Sequence, residues 1–293
     1  MPWLQLTLET TPDDAEVLSE LLSAAGASAV TFQDNADQPL YEPPVGETPL
    51  WSRTRVIGLF DATADMTAVL QHITQAIAPK TLPDHRIAPL EDKDWEREWM
   101  DNFKPMPFGQ RLWICPSWCA PPHPEAINIL LDPGLAFGTG THPTTALCLE
   151  WLDAHGAEHE QVIDYGCGSG ILAVAAAKLG AGHVWAVDND PQALIATRDN
   201  AVKNGVAGRI TAVLPDALPA LQTTLLLANI LAKPLMDFAQ RFAQYVSPGG
   251  HIVLSGILAE QAEAVAACYH PWFEMASPVI KDDWVRLVGR RTP

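Results

Sequence analysis

The chain has 293 residues, with 18 Lys and Arg against 35 Asp and Glu, so its formal net charge is −17. A molecule this acidic repels the phosphate backbone of free nucleic acid and attracts basic protein surfaces, although acidity that serves only solubility explains the charge equally well. Hydrophobic residues make up 48% of the chain, which is typical of a globular protein and excludes a disordered or fibrous one. The length favours two domains.

The chain carries no sign of a secretory or membrane-spanning segment. Its N-terminus has no basic region, and its most apolar stretches, such as 225–232, are far shorter than a membrane span. The five cysteines are scattered, odd in number and too few for a disulfide framework, which favours a reducing, cytoplasmic compartment. Cys115, Cys119 and His123 have a spacing that resembles metal ligands, but a fourth ligand is missing, so we expect no metal site.

The first 90 residues alternate between strand and helix patterns. Strands are predicted at 3–9, 28–33, 51–60 and 86–90, and helices at 12–25 and 65–78. The order βαββαβ is that of a ferredoxin-like sandwich. A small α+β domain is therefore expected over residues 1–90.

A charged segment separates this domain from the rest of the chain. Residues 91–102 carry two tryptophans at helical spacing, which predicts a connecting helix whose tryptophans pack between domains. The proline-rich segment 103–132 shows one clear strand, at 126–131. We therefore expect a linker helix and hinge over 91–107 and a second domain over 108–293.

From residue 161 onward, strand, glycine-turn and helix patterns alternate. The predicted strands are 161–165, 183–188, 209–214, 224–228, 251–255, 273–277 and 283–289, with helices at 171–180 and 191–205. Such alternation predicts an α/β domain with a parallel, doubly wound, Rossmann-like sheet.

The most informative segment is DYGCGSG, residues 164–170, where a buried strand runs into three alternating glycines. Only backbone without a Cβ turns this tightly and lets a ligand lie against it, so Gly166, Gly168 and Gly170 are candidate binding residues. The spacing differs from the G-x-G-x-x-G that seats a dinucleotide pyrophosphate, and the preceding Asp164 suits a ligand with an ammonium group. Cys167 is interpreted as a small buried side chain.

An acidic residue ends the next strand, about twenty residues after the first glycine. At the carboxyl edge of a parallel sheet, Asp188 is expected to bind the two hydroxyls of a ribose. Asp190 precedes Pro191 and is explained equally well as a helix N-cap. A nicotinamide-dependent dehydrogenase remains a rival interpretation at this point.

Two further segments decide against the dehydrogenase. LLDPGLAFGTGTHPTT, residues 130–145, is expected to fold over a cofactor, with Thr141 or His142 capping a helix whose free amides suit a carboxylate or ribose. ANILA, residues 228–232, ends the fourth strand of the sheet, where an acceptor should meet the cofactor.

These segments resemble a known family. DYGCGSG and VDND are similar to the signature of class I S-adenosylmethionine-dependent methyltransferases, and LLDPGLAFGTGTHPTT with NILA resembles the bacterial ribosomal protein L11 methyltransferases. The resemblance covers the whole chain. It implies an N-terminal domain that grips a basic ribosomal protein, a flexible linker, and a C-terminal domain that methylates lysine side chains and the N-terminal amine. We expect a monomer that does not bind nucleic acid directly.

The resemblance also implies site residues. Cofactor contacts map to Thr145, Gly166, Asp188 and Asn229, with Phe137 and Gly138 in the covering loop. Asn229 is expected to orient the acceptor amine, although Asn229-Ile230 departs from the N-P-P-[YF] pattern of many amino-group methyltransferases, which leaves the details of that orientation open. His142 is a catalytic candidate by position, while capping is the more common role of a histidine at a helix start.

Two alternatives stay open from sequence. The cofactor domain serves many acceptors, so an RNA or protein-glutamine methyltransferase is a rival enzyme, although the acidic charge counts against RNA. A non-catalytic module that binds an adenosine ligand is the rival of another class. A covering loop together with a separate recognition domain favours turnover instead.

Overall fold

The computed structural model describes residues 3–36, 38, 48–90, 103–132, 142–157 and 161–293. The chain divides into two units, Met1–Trp99 and Met100–Pro293. The predicted linker helix, 91–102, and residues 133–141 of the covering segment 130–145 lie outside the described residues. Among the helices that are described, none is both long and apolar enough to cross a membrane.

The first unit is a four-stranded antiparallel sheet with two helices. Its elements are β1 (Trp3–Thr10), α1 (Pro12–Ala24), β2 (Ala29–Asp34), β3 (Thr54–Asp61), α2 (Met66–Ala76) and β4 (His85–Leu90). The strand order is β2-β3-β1-β4, and every pair is antiparallel. The predicted order βαββαβ is confirmed, and it is that of a ferredoxin-like sandwich.

This unit has a hydrophobic core of its own. Leu6 and Leu8 of β1 are fully buried together with Leu18 and Leu22 of α1 and Ile73 of α2. The spacing of two residues on the strand and four on the helix places these side chains on facing surfaces. Each buried side chain of this size contributes about 1.5 to 3 kcal/mol of transfer free energy.

Three short strands open the second unit. They are β5 (Met106–Phe108), β6 (Leu112–Cys115) and β7 (Ile127–Leu130), in that order across a small sheet. The strand predicted at 126–131 is confirmed as β7, and the structure adds β5 and β6, which were not predicted. Pro107 lies inside β5, where proline is tolerated because the strand is at the edge of the sheet. Asp153 holds the turn between β5 and β6, since its carboxylate accepts hydrogen bonds from the amides of Gln110 and Arg111 at 2.7 and 3.1 Å.

An eight-stranded sheet forms the body of the second unit. Its strands are β8 (Gln161–Tyr165), β9 (His183–Val187), β10 (Ile210–Val213), β11 (Thr223–Asn229), β12 (Val246–Leu258), β13 (Phe273–Met275), β14 (Val279–Lys281) and β15 (Trp284–Arg291). They follow the order β10-β9-β8-β11-β12-β15-β13, with β14 paired to β15. The predicted parallel sheet is confirmed for β8 to β12, whereas β13, β14 and β15 pair in antiparallel fashion.

Helices pack on both faces of this sheet. They are α3 (Pro143–His155), α4 (Ile171–Lys178), α5 (Pro191–Lys203), α6 (Ala232–Tyr245) and α7 (Ala262–Tyr269). Alternate residues of β11 belong to two hydrophobic clusters: Leu225 and Leu227 pack with α3, α4 and α5, and Leu226 and Ala228 with α6 and α7. A central strand buried on both faces reads as a continuous apolar run, as this one does.

Candidate cofactor and acceptor site

The glycine turn between β8 and α4 is the centre of the candidate site. Gly166, Gly168 and Gly170 have φ angles of +79°, +53° and +76°. L side chains rarely adopt this region of backbone conformation. The amides of Gly166 and Cys167 both donate to the carbonyl of Val187, at 2.7 and 3.0 Å, so the turn is fastened to the end of β9.

Neighbouring side chains leave no room for a Cβ in this turn. A Cβ on Gly166 would lie 2.1 Å from Cγ2 of Ile230, and one on Gly170 would lie 2.7 Å from Oγ1 of Thr197. Thr197, on α5, also donates a hydrogen bond to the carbonyl of Gly168 at 3.1 Å. The turn is therefore packed against both α5 and the segment that follows β11.

Asp188 follows β9 and contacts the glycine turn. Its Oδ2 accepts a hydrogen bond from the amide of Gly168 at 2.9 Å, and its Oδ1 accepts one from the amide of Asp190 at 3.0 Å. A carboxylate has about four acceptor positions, so two are left for the hydroxyls of a ribose. Asp190 is the N-cap of α5 and accepts from the amide of Gln192 at 2.9 Å, which settles the capping role that the sequence left open.

Asp164, the last but one residue of β8, is a buried carboxyl with an unpaired oxygen. Its Oδ2 accepts a hydrogen bond from the amide of Ala173 at 2.9 Å, while its Oδ1 has no partner among the residues that the structure describes. Burial raises the pKa of Asp164 to about 7, against the lowering effect of the Ala173 bond and with a further rise from the charge of Asp188. A buried, unpaired oxygen that can carry charge suits a cationic ligand group.

The segment 228–232, here called the acceptor segment, is linked to the start of α3 by a hydrogen bond. Asn229 ends β11, and its Nδ2 donates a hydrogen bond to Oγ1 of Thr145 at 3.3 Å. Thr145 is fully buried in the first turn of α3. The N-cap of this helix is His142, whose Nδ1 accepts from the amide of Thr144 at 3.4 Å, as the capping interpretation predicted.

A cavity of about 240 Å³ lies between these elements. Its volume is slightly below the roughly 300 Å³ of the smallest typical ligand pockets. The candidate residues that line it are Thr145, Gly166, Gly168, Asp188 and Asn229, and Cys167, which the sequence analysis interpreted only as a small buried side chain, lines it as well. Its wall also includes residues that the sequence did not single out: Ile171, Leu172, Asn189 and Ile230. Asn189 and Ile230 are next to Asp188 and Asn229 in the sequence, and this proximity was the one sequence signal for them.

Three candidate residues do not line this cavity, and two others cannot be located. Asp164, Gly170 and His142 lie in the elements that carry the lining residues but are not part of the cavity wall. Phe137 and Gly138 fall in 133–141, outside the described residues.

Comparison with known proteins identifies the family. Residues 2–292 match the family described as ribosomal protein L11 methyltransferase (PrmA). Proteins of that name from Marinobacter nauticus and Nitrosococcus oceani are 56% and 54% identical to the chain, covering 99% of this chain in both cases and 99% and 100% of the relatives. The chain belongs to this family.

A solved structure extends the comparison to the fold. The structure named ribosomal protein L11 methylase, from Lactobacillus delbrueckii subsp. bulgaricus, has a TM-score of 0.60 and 30% identity, covering 65% of this chain and 100% of that chain. Members of the L11 methyltransferase family use S-adenosylmethionine, so this chain is an S-adenosylmethionine-dependent methyltransferase.

The residues at the candidate site fit this cofactor. The buried carboxyl of Asp164 is outside the cavity wall but two residues before Gly166, and its charge suits the ammonium of the methionine part. The free acceptor positions of Asp188 suit the ribose hydroxyls. The turn at Gly166 has φ of +79° and lines the cavity, while Ile230 fills the place of a Cβ, so the backbone of the turn faces the cavity beside Ile230.

Replacing Asp188 is expected to weaken cofactor binding. Asp188→Ala removes the carboxylate that would accept from the ribose, and a hydrogen bond to a charged group is worth about 1.5 to 3 kcal/mol, so calorimetry should show a Kd at least about tenfold higher. Asp190→Ala is the matched control, because it removes the cap of α5 and leaves Asp188 in place. Unchanged affinity in folded Asp188→Ala would contradict the assignment.

Cofactor affinity is expected to rise with pH through about 7 because of Asp164. An ammonium prefers the ionised carboxylate, so binding near pH 6 should release a proton, which calorimetry in buffers of different ionisation enthalpy detects. In the cofactor-free protein the same pKa shift makes the free energy of unfolding depend on pH. The contribution of Asp164 is fully present below its unfolded pKa of 3.8, and it is lost as pH rises through the folded pKa of about 7. Asp164→Asn should abolish the proton release, and an equal release in that variant would point to another group.

Proposed function

We propose that this methyltransferase acts in the cytoplasm on ribosomal protein L11 of the large subunit, and that it methylates lysine side-chain amines and the N-terminal amine. The match over nearly the whole chain to relatives named for that substrate carries the proposal. The net charge of −17 supports it, since an acidic enzyme attracts a basic protein. The monomeric state and the lack of direct contact with nucleic acid stay predictions.

The reaction requires a neutral amine. When bound, S-adenosylmethionine supplies an electrophilic methyl group, and the protein's task is to align the amine with it and to exclude water. A lysine with its ordinary pKa of about 10.4 costs roughly 4 to 5 kcal/mol to deprotonate at pH 7. Ile230 lines the cavity and Leu231, 51% exposed, follows it, so an entering amine meets apolar side chains that lower its pKa by desolvation.

Asn229 is the group to which we assign orientation of the amine. Its Nδ2 already donates to Oγ1 of Thr145, which leaves Oδ1 as an acceptor for an amine N–H. A hydrogen bond of that kind aims the nitrogen lone pair without removing a proton. Thr145 contributes by fixing the rotation of the Asn229 amide group.

His142 is the second catalytic candidate in this proposal. Burial lowers the pKa of its imidazole, so the ring is neutral at pH 7 and able to accept a proton. Its Nδ1 is already engaged with Thr144 at the cap of α3. A neutral ring whose Nδ1 accepts carries its hydrogen on Nε2, so proton removal by His142 requires Nδ1 to leave the cap of α3.

We assign recognition of the ribosomal protein to residues 1–90 and methyl transfer to 108–293, joined by a hinge over 91–107. The separate hydrophobic core of the first unit supports this division, since that unit does not depend on the cofactor-binding sheet for its own packing. Amines at separate positions in one substrate can enter one site only if the substrate is held elsewhere and can be reoriented.

Intact-mass measurement tests the proposed substrate. Ribosomal protein L11 incubated with the enzyme and S-adenosylmethionine is expected to gain mass in methyl-sized steps, and fragmentation should place the methyl groups on lysines and on the N-terminus. Asn229→Ala, which removes the proposed amine acceptor, is expected to slow this gain. An unmodified L11 protein beside a methylated RNA or glutamine acceptor would overturn the proposal.

A further inference from the structure

Gly256 lies in a bulge of β12, next to the acceptor segment. The pairing of β12 with β15 shifts register between Leu254 and Ile257, and Gly256, between them, is buried with φ of +82°. The parallel pairing of β12 with β11 ends one residue earlier, at Ser255 opposite Asn229. Bulges recur beside active sites, where they redirect the backbone.

A side chain at position 256 would collide with the backbone of the acceptor segment. A Cβ there would lie 2.3 Å from the carbonyl oxygen of Ile230, 2.8 Å from its carbonyl carbon and 3.1 Å from its amide nitrogen. Backbone atoms cannot rotate away as the end of a flexible side chain can. Ile230 also contacts the glycine turn, since its Cγ2 would lie 2.1 Å from a Cβ on Gly166. Ile230 is thus in close contact with one glycine that follows β8 and with another inside β12.

We propose that Gly256 is a positioning residue for methyl transfer, because its bare backbone lets Ile230 settle against β12 and thereby fixes Asn229. This inference rests on the proposed role of Asn229 in orienting the acceptor amine. Asn229 is bonded directly to Ile230 and is held at its side chain by Thr145, so a shift of the Ile230 carbonyl moves the amide relative to its partner. A misplacement of about 1 Å can cost roughly 100-fold in rate.

The same strand provides a matched control. Gly249, also in β12, has φ of +81°, and a Cβ there would meet nothing within 4 Å. Alanine at either position carries the same backbone strain, and only Gly256→Ala adds the collision with Ile230. A loss in Gly256→Ala that Gly249→Ala does not show is therefore not a general effect of a strained alanine in β12.

The test separates kcat from cofactor affinity. Gly256→Ala is expected to lower kcat on L11 protein by at least about 30-fold and to raise the Kd of S-adenosylmethionine by a smaller factor, because Asn229 and Ile230 also line the cofactor cavity. Gly249→Ala should leave both quantities within about twofold. Rates are divided by the folded fraction, taken from the calorimetric binding stoichiometry at about 15 °C, near the usual maximum of stability. Trimethylamine N-oxide, which favours folded states, is added if that fraction is low. A variant that stays unfolded there, or one with normal kcat, overturns the proposal.

A double-mutant cycle with Asn229→Ala distinguishes a positioning role of Gly256 from a merely structural one, because only the positioning role predicts that the two losses of kcat do not multiply. If Gly256 acts through Asn229, adding Gly256→Ala to Asn229→Ala should lower kcat by less than about threefold further. Losses that multiply would overturn the positioning role. If Asn229→Ala alone leaves kcat unchanged, the proposed role of Asn229 fails and this inference with it. If Asn229→Ala lowers kcat and Gly256→Ala does not, only the inference about Gly256 fails.

Discussion

A fragment of residues 103–293 is expected to bind S-adenosylmethionine within about threefold of the whole chain, and to methylate L11 protein with a kcat/KM at least about 100-fold lower. Every candidate cofactor residue that the structure locates lies beyond residue 141, and the large sheet has hydrophobic clusters of its own. Losing the proposed recognition domain removes the interface that holds the substrate, and 100-fold corresponds to about 2.8 kcal/mol of binding free energy. Calorimetry and a methylation assay measure the two quantities.

A short lysine peptide provides the control for this fragment. Such a peptide is too small to use the recognition domain, so the fragment and the whole chain should methylate it at similar rates. An equal loss on the peptide would mean that the truncation damaged the active site. Methylation of L11 protein by the fragment at the rate of the whole chain would show that residues 1–90 do not recognise the substrate.

The sequence predicted the half of the large sheet that has a repeating pattern. From β8 to β10, buried apolar strands alternate with helices and glycine turns, and each such unit is recognisable from local residues alone. The antiparallel end was harder, because β13 and β14 have three residues each and lack room for a period. Helix α6 was missed because Pro234 interrupts its pattern, although proline is tolerated in a first turn.

The predicted site residues depended on motifs, whereas their mutual contacts depended on the fold. Asp188 and the glycines were recognisable because each lies at a strand end with a distinctive neighbour. The hydrogen bond between Asn229 and Thr145 joins residues that are 84 positions apart, and no local sequence pattern predicts it. Thr197 supports the turn at Gly168 from the middle of a helix, where a threonine carries no signal of its own.

Gly256 shows why a bulge escapes sequence analysis. The strand predicted at 251–255 stops one residue before it, since a glycine ordinarily marks the end of an apolar strand. In the structure β12 continues to Leu258, and the glycine lies inside the strand where Ile230 crowds it. What a glycine accommodates is decided by a neighbour that is distant in sequence, so the residue alone does not distinguish a strand end from a close approach.

Gly166→Ala is expected to weaken S-adenosylmethionine binding by at least about 100-fold. Two penalties act on the same turn. An alanine at φ of +79° is strained by about 1 to 2 kcal/mol, and its Cβ would lie 2.1 Å from Cγ2 of Ile230. Relief of this contact requires the turn or Ile230 to move, and both line the cavity that we assign to the cofactor. Calorimetry on the purified variant measures the effect.

Gly205→Ala is the control for a strained alanine away from the site. Gly205 has φ of +69°, and a Cβ there would meet nothing within 4 Å, so alanine at this position is strained but not crowded. Gly205→Ala should lower the thermal midpoint slightly and leave the cofactor Kd within about twofold. Because Gly205 follows α5 and does not line the cavity, a large difference in Kd between the two variants assigns the loss to the turn at Gly166. If Gly166→Ala is folded and binds as tightly as Gly205→Ala, the glycine turn is not part of the cofactor site.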